Sequence, residues 1–245
     1  MERIIRVYRS LSELSHGVAG EMMNVINKAA LSGKRVNIAL SGGNTPKTLF
    51  SFLGNYYCDS IKWKAVDFFW SDERCVPPHS PESNYRLAKE TFLNKTGIYS
   101  KNIHRIKGEN DPEKEAVRYS SEIRKITESA FGIPAFDIIF LGIGEDGHTA
   151  SLFPGNENVL NSSRICEAVV HPTSGQKRIT MTLEVINNAM RIFFLATGLN
   201  KAGIVAEVIN NPGIASVPAS MVNPYNGKVY WFLDYDAASE LSQLA

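Results

Sequence analysis

The chain has 245 residues, enough for one large domain or two small ones around an ample apolar core. Hydrophobic residues make up 44% and charged residues 21%, an ordinary globular balance. Lys plus Arg (26) almost cancels Asp plus Glu (25), so the charge argues against a nucleic-acid-binding or membrane-surface protein, and no run approaches the roughly 18 apolar residues of a membrane span.

The start, MERIIRVYRSLSEL, carries Glu2, Arg3, Arg6 and Arg9 and has no long apolar core, so it does not read as a signal peptide. An amphipathic helix carrying His16 follows. RVNIAL (35–40) is a short apolar run ending at SGGNTP, with a helix expected from Pro46 to about Leu53. AVDFFW (65–70) is a second strand, and SDER follows it. SNYRLAKETFL (83–93) has helical spacing with Ser83 as its cap. The stretch 97–112 is expected to be a peripheral excursion. DPEKEAVRYSSEIRKITESAFG (111–132) reads as an amphipathic helix capped by Asp111, with Pro112 in its first turn and Gly132 as its stop. FDIIFLGIG (136–144) is continuously apolar, as for a strand covered on both faces. RITMTLEVINNA (178–189) begins as alternation and turns helical. RIFFLAT (191–197) is another buried strand, followed by Gly198 and a helix carrying Lys201 to Ile209. KVYWFLDYDAASEL (228–241) predicts a last strand and a short helix. Cys58, Cys75 and Cys166 are far apart and odd in number, which suggests free thiols in a reducing, cytoplasmic setting.

Alternating strands and helices imply an α/β fold, a Rossmann-like, mostly parallel sheet with helices on both faces. With no repeat, linker or low-complexity tract, residues 1–245 are expected to form one domain. Ligands in such folds gather beyond the carboxyl ends of the strands. SGGNTP, SDER, GIGEDGH and TGLNK all fall there.

Ser41-Gly42-Gly43-Asn44-Thr45-Pro46 joins a strand to a helix. Glycines permit close backbone approach, Thr45 is suited to cap and Pro46 to open the helix, and free N–H groups at a helix start bind anions. The same loop would also serve as a capped turn with no ligand. In Trp70-Ser71-Asp72-Glu73-Arg74, the arginine suits a phosphate or a polarised carbonyl oxygen, and Asp72 is placed to hold Arg74 or accept sugar hydroxyls. The alternative is a solvated charge cluster. Asn84 is a sugar contact or a helix-start residue.

The segment 141–154 combines Gly142, Gly144 and Gly147 with Glu145, Asp146 and His148. Histidine is the usual general base near neutral pH, and Asp146 is spaced to orient its ring. A lone histidine is more often structural, but a strand-end glycine loop favours chemistry. His171, before Pro172 and near basic residues, is the one rival; His16, His79 and His104 rank lower. HxxxH, HxH, HExxH and GxSxG are all absent, which leaves water activated by histidine as the simplest hydrolytic scheme. Arg178, Thr180 and Thr182 share one face of a strand-like run, and Lys201 opens a helix. Each suits solvent, and together they would supply charge for a phosphate dianion.

ALSGGNTP, WSDERCVP with SNY downstream, LGIGEDGHTASLFPG, RITMTLEVINNA, TGLNKA and VYWFLDYDAAS resemble, in this order, the 6-phosphogluconolactonase family across residues 39–239. The resemblance implies hydrolysis of 6-phospho-D-glucono-1,5-lactone, a small-molecule phosphosugar partner, no metal and no organic cofactor. It also implies a fold shared with glucosamine-6-phosphate isomerases/deaminases, and a monomer or weak homodimer is expected. By position, His148 resembles the general base, with Asp72 and Arg74 as an assisting pair. The Gly42–Gly43 loop, Arg178 and Lys201 resemble phosphate and sugar contacts. Asn44 stands where Ser is more usual. An aminosugar-phosphate deaminase is the rival enzyme, but such relatives tend to continue DGH with IAFNEP, where this chain has TASLFP. A non-catalytic phosphosugar sensor is the other alternative.

Overall fold

The computed structural model describes residues 2–130 and 132–241. Strands β1 (Glu2–Tyr8), β2 (Val36–Leu40), β3 (Val66–Trp70), β4 (Asp72–Arg74), β5 (Ser129–Ala130), β6 (Ile133–Pro134), β7 (Ile138–Leu141), β8 (Cys166–Val170), β9 (Lys177–Met181), β10 (Arg191–Ala196) and β11 (Lys228–Asp234) fall into three sheets. The helices are α1 (Leu11–Leu31), α2 (Asn44–Tyr56), α3 (Asn84–Thr91), α4 (Pro112–Ile126), α5 (Glu157–Leu160), α6 (Leu183–Ile186) and α7 (Ala202–Asn210).

Six strands form a parallel sheet in the order β1-β11-β10-β7-β2-β3, flanked by helices on both faces as the alternation predicts. Strands β2, β3 and β7 are buried along their whole length, Asn37 and Asp67 included, and β10 and β11 are buried except at their ends. From the β1 edge the chain crosses to β2 and runs outward to β3, then returns to β7 and runs outward on the other side through β10 to β11, which lies beside β1. Strand order therefore reverses between β2 and β7, the crevice where doubly wound folds bind ligands. Aromatic side chains fill the layers beside it, including Phe194 stacked on Trp231 at 4.2 Å and Phe140 edge-on to Phe193 at 5.4 Å.

Beyond the end of β3, Ser71 passes the chain from the large sheet into a small antiparallel one, β4-β9-β8. Its N–H donates to Leu40 of β2 and its carbonyl accepts from Met181 of β9. This pairing sets Asp72 opposite Thr180 and Arg74 opposite Arg178. The expected face of Arg178, Thr180 and Thr182 thus holds for the first two. Thr182 leaves the strand to precede α6, and its hydroxyl donates to Arg164.

Several local expectations give way. β1 pairs in register with β11, where apolar patterning alone gave no sign of it, because this edge strand carries charge at Glu2, Arg3 and Arg6. Asp111 caps α4 as read, accepting from Lys114, but the helix ends at Ile126 and the chain turns into the β5–β6 hairpin with Gly132 at φ +80°. Residue 131 lies outside the described residues. The stretch 97–112 is not peripheral: Ile103 bridges to Phe68, His104 donates to the Phe68 carbonyl, and Ile106 is buried. Among the described residues no helix follows β11, where Asp234 accepts from Ala237 and closes a turn instead. No described helix is long and apolar enough to cross a membrane.

Candidate active site

At the carboxyl ends of β2, β3, β7 and β10 the chain encloses a cavity of about 590 Å³. Ser41, Gly42, Gly43, Asn44, Thr45, Asp72, Arg74, Asn84, Gly144, His148, Arg178 and Lys201 line it, whereas Asp146 lies against His148 outside the lining, and Thr180, Thr182 and His171, also singled out in the sequence, do not line it. The sequence missed Glu145, Thr197 and Asn200 as lining residues, although all three sit inside motifs it had marked.

The glycine loop leaves β2 at Ser41. Gly43 (φ +104°) is the N-cap of α2, in a backbone region that favours glycine, and no side chain caps the helix. Thr45 is therefore not the expected cap. It lies inside the first turn, and its hydroxyl is 2.9 Å from that of Thr197. The N–H groups of this turn have no intrahelical partner, and the helix dipole adds positive potential where the turn lines the cavity. A Cβ on Gly42 would fall 1.8 Å from Asn84 Oδ1, so the close approach of α3 requires glycine here.

On β4, alternation sends Asp72 and Arg74 to the cavity and Glu73 to the interior. Glu73 accepts from the N–H groups of Arg74, Asn84 and Tyr85, each at 2.8 Å, and from the Ser83 hydroxyl at 3.0 Å. Burial pushes its carboxyl up to about 6 in spite of these bonds. Glu73 thereby pins the start of α3, whose own cap is Ser83, and brings Asn84 to the site. Asn84 Nδ2 donates to the Asp72 carbonyl at 3.0 Å and carboxylate at 3.3 Å. Asp72 also accepts from Ser151 Oγ at 2.7 Å and faces Arg178 at 3.9 Å. The expectation that Asp72 holds Arg74 is not met. Arg74 donates from Nη1 to the Glu82 carbonyl at 2.7 Å, and its buried Nε has no partner among the described residues. The antiparallel pairing of β4 with β9 is what delivers Arg178 to Asp72 instead.

The histidine loop is folded back on itself. Gly144 donates to the His148 carbonyl at 2.9 Å, and Gly147, at φ +80°, donates to Gly144 at 3.0 Å. A Cβ on Gly144 would fall 2.2 Å from His148 Nδ1, so only glycine lets the ring lie against the loop. Ala150 holds φ +48°, a strained value for a residue with a Cβ, between His148 and the Asp72-binding Ser151. His148 Nδ1 is 2.5 Å from Asp146 Oδ1, which also accepts the His148 N–H at 3.1 Å. Burial works against ionisation of Asp146, but these contacts with His148 hold its carboxyl below the usual range. An ionised Asp146 accepts a hydrogen bond from Nδ1–H, and in that tautomer Nε2 keeps its lone pair. The chemistry available is proton abstraction from a group in the cavity.

The family model described as glucosamine-6-phosphate isomerases/6-phosphogluconolactonase matches residues 9–231. The chain belongs to this family. Among curated relatives, 6-phosphogluconolactonase of Haemophilus influenzae is 42% identical over 201 residues, covering 81% of this chain and 84% of that one. The enzyme of the same name from Treponema pallidum is 37% identical over 210 residues, covering 86% and 87%. A crystal structure described as that of devB protein superposes with a TM-score of 0.92 at 37% identity, covering 98% of this chain and all of that one.

Within this family fold, the cavity's cations are unequally committed. Arg178 is held by Asp72, by Gln176 Oε1 at 3.2 Å from its Nε, and by the Phe153 ring 5.7 Å from its guanidinium. Among the described residues the ion pair of Lys201 is with Glu145, at 4.0 Å, a carboxylate two-thirds exposed that also accepts from Asn200 at 2.6 Å. Among the described residues no three His, Cys, Asp or Glu side chains are grouped to hold a metal ion.

Proposed function

We propose that this chain, acting as one cytoplasmic lactonase domain, hydrolyses 6-phospho-D-glucono-1,5-lactone to 6-phospho-D-gluconate by water that His148 activates. The observation that carries the reading is the Asp146–His148 pair, with Nε2 free, in a cavity that also holds a helix start and Arg74, Arg178 and Lys201. The lactonase names of the relatives support the substrate.

The 6-phosphate sits against the first turn of α2 and Lys201, displacing the exposed Glu145. The lactone carbonyl then faces His148. Nε2 takes a proton from water as its oxygen bonds to C1, and Asp146 stabilises the imidazolium that forms. The negative charge gathers on the former carbonyl oxygen, where the guanidinium of Arg74, a cavity-lining residue, stabilises it. Collapse breaks the bond from C1 to the ring oxygen, which takes the proton from Nε2. The resulting carboxylic acid loses a proton to solvent, and His148 returns neutral.

The test is a coupled assay. Lactone is generated with glucose-6-phosphate dehydrogenase, and 6-phosphogluconate formation is followed above spontaneous hydrolysis, with glucosamine 6-phosphate deamination in parallel. Acceleration of the first alone supports the reading. Deamination alone assigns the histidine loop to aminosugar chemistry, and inactivity in both favours a sensor.

A further inference from the structure

The β8–β9 hairpin ends in a tip, residues 171–176, that the proposed chemistry does not use. Its backbone is closed by the N–H of His171 to Gln176 at 2.9 Å and of Gly175 to His171 at 3.0 Å, with Gly175 at φ +70°. Inside this turn the His171 ring folds back over its own backbone. Nδ1 accepts from the N–H of Thr173 at 3.2 Å and of Ser174 at 3.3 Å. A ring nitrogen that accepts carries no proton, so His171 is neutral with its hydrogen on Nε2. It plays the part that the side-chain oxygen of Asn or Asp plays in an Asx turn.

The tip is connected to both arginines of the cavity. Gln176 accepts from Arg178 Nε at 3.2 Å, and its own amide donates to the Glu82 carboxylate at 3.0 Å. Glu82 in turn takes Arg74 Nη1 on its carbonyl at 2.7 Å. Gln176 is thus the strap between the two segments that present the arginines. The His171 ring also packs on Phe153 at 4.8 Å, the same ring that touches His148 at 5.2 Å and Arg178 at 5.7 Å.

We infer that His171 is a positioning residue. In its neutral form it sets the hairpin tip so that Gln176 holds Arg178 in the cavity, and protonation on Nδ1 releases that hold. The inference rests on the functional reading above, because it is Arg178 at the substrate that the tip serves. The charged groups facing His171 are Arg178 on β9, Arg74 on β4, and His148 with Asp146 on the histidine loop. Burial, Arg178 and His148 together hold the ring below its ordinary value, with Asp146 opposing, so the neutral form prevails near neutral pH. Protonation costs two hydrogen bonds and sets a cation beside Arg178.

The test compares wild type with H171A and H171N, because the Asn Oδ1 can accept the same two N–H groups and does not titrate. At about pH 7.5, H171A should bind 6-phosphogluconate about fivefold more weakly than wild type, while H171N should match it. Towards acid, kcat/KM of the wild type should fall about fivefold further than that of H171N, whose turn does not titrate. Wild-type affinity in H171A, or an acid fall in H171N as large as in the wild type, would overturn the inference. If the wild type itself fails to bind 6-phosphogluconate, the functional reading fails, and the tip is judged alone by nitrogen NMR. A neutral His171 protonated on Nε2, with faster amide exchange at Thr173 and Ser174 in H171A, sustains the turn-setting role. A proton on Nδ1 refutes it.

Discussion

Two histidines of this chain lie against carboxylates, and they differ in what their rings leave open. His104 is clamped from both sides, Nε2 to Asp67 and Nδ1 to Glu122, each at 3.1 Å, and stacks on Phe69 at 4.7 Å. Asp67 also pairs with Arg35, and Glu122 with Arg118. His148 is held at Nδ1 alone, and its Nε2 makes no hydrogen bond among the described residues. Its side chain is 27% exposed, against 9% for His104. The same pair of residue types therefore builds a cross-link in one place and, in the other, leaves one nitrogen of a cavity-lining ring open. The carboxylate is common to both, so its presence near a ring does not identify a catalytic histidine. An open second nitrogen on a ring that lines the cavity is what sets His148 apart from His104.

The largest expected effect falls on the cavity side. His148→Ala should lower turnover at least about a hundredfold with thermal stability unchanged, and near-normal turnover would end its assignment as base. Asp146→Asn leaves the ring in place but offers a side chain that does not favour the proton on Nδ1 as the carboxylate does. Turnover should fall about ten- to thirtyfold with KM little changed, and an unchanged rate would show that the loop backbone orients His148 unaided.

The other cluster should respond in the opposite sense. His104→Ala should leave turnover close to wild type but cost about 2 kcal/mol in denaturant unfolding, because Arg35 and Arg118 remain to neutralise the abandoned carboxylates. Burial disfavours the charged ring, but its hydrogen bonds to Asp67 and Glu122 win and hold His104 above its ordinary value. A raised group contributes fully below its unfolded value, about 6.5, and loses that contribution as pH rises through the folded value. The stability gap between wild type and the variant should therefore narrow on the alkaline side. A gap that widens there would contradict the ion-pair account.

The smallest effect is expected at the phosphate. Lys201→Ala should weaken 6-phosphogluconate binding by about tenfold, because its present partner Glu145 is exposed and readily displaced. Arg178→Ala should also weaken it. If both variants bind as tightly as wild type, the proposed anchor is wrong.

Much of this was legible in the chain. The runs VNIAL, VDFFW, IIFL and RIFFLA are mostly apolar, with Asn37, Asp67 and Arg191 as the polar exceptions, because parallel strands are covered on both faces, so their patterns mark the centre of the sheet. Ser83 and Asp111 announce their helices because capping is a local bond between a side chain and an N–H three residues on. Asp146 and His148 stand two residues apart, so their pairing is also local. β1 and β4 were not legible, since an edge strand with charges and a three-residue strand carry little periodic signal.

The sequence by itself determined the alternation of elements, the strand-end loops and the chemical types of the cavity residues, because these rest on contacts within a few positions. Only the tertiary structure decided that Asp72 serves Arg178 rather than its neighbour Arg74, that Ser151 joins the histidine loop to β4, and that His104 is a cross-link. Each depends on partners 18 to 106 residues apart, brought together by sheet register and burial, which no local pattern encodes.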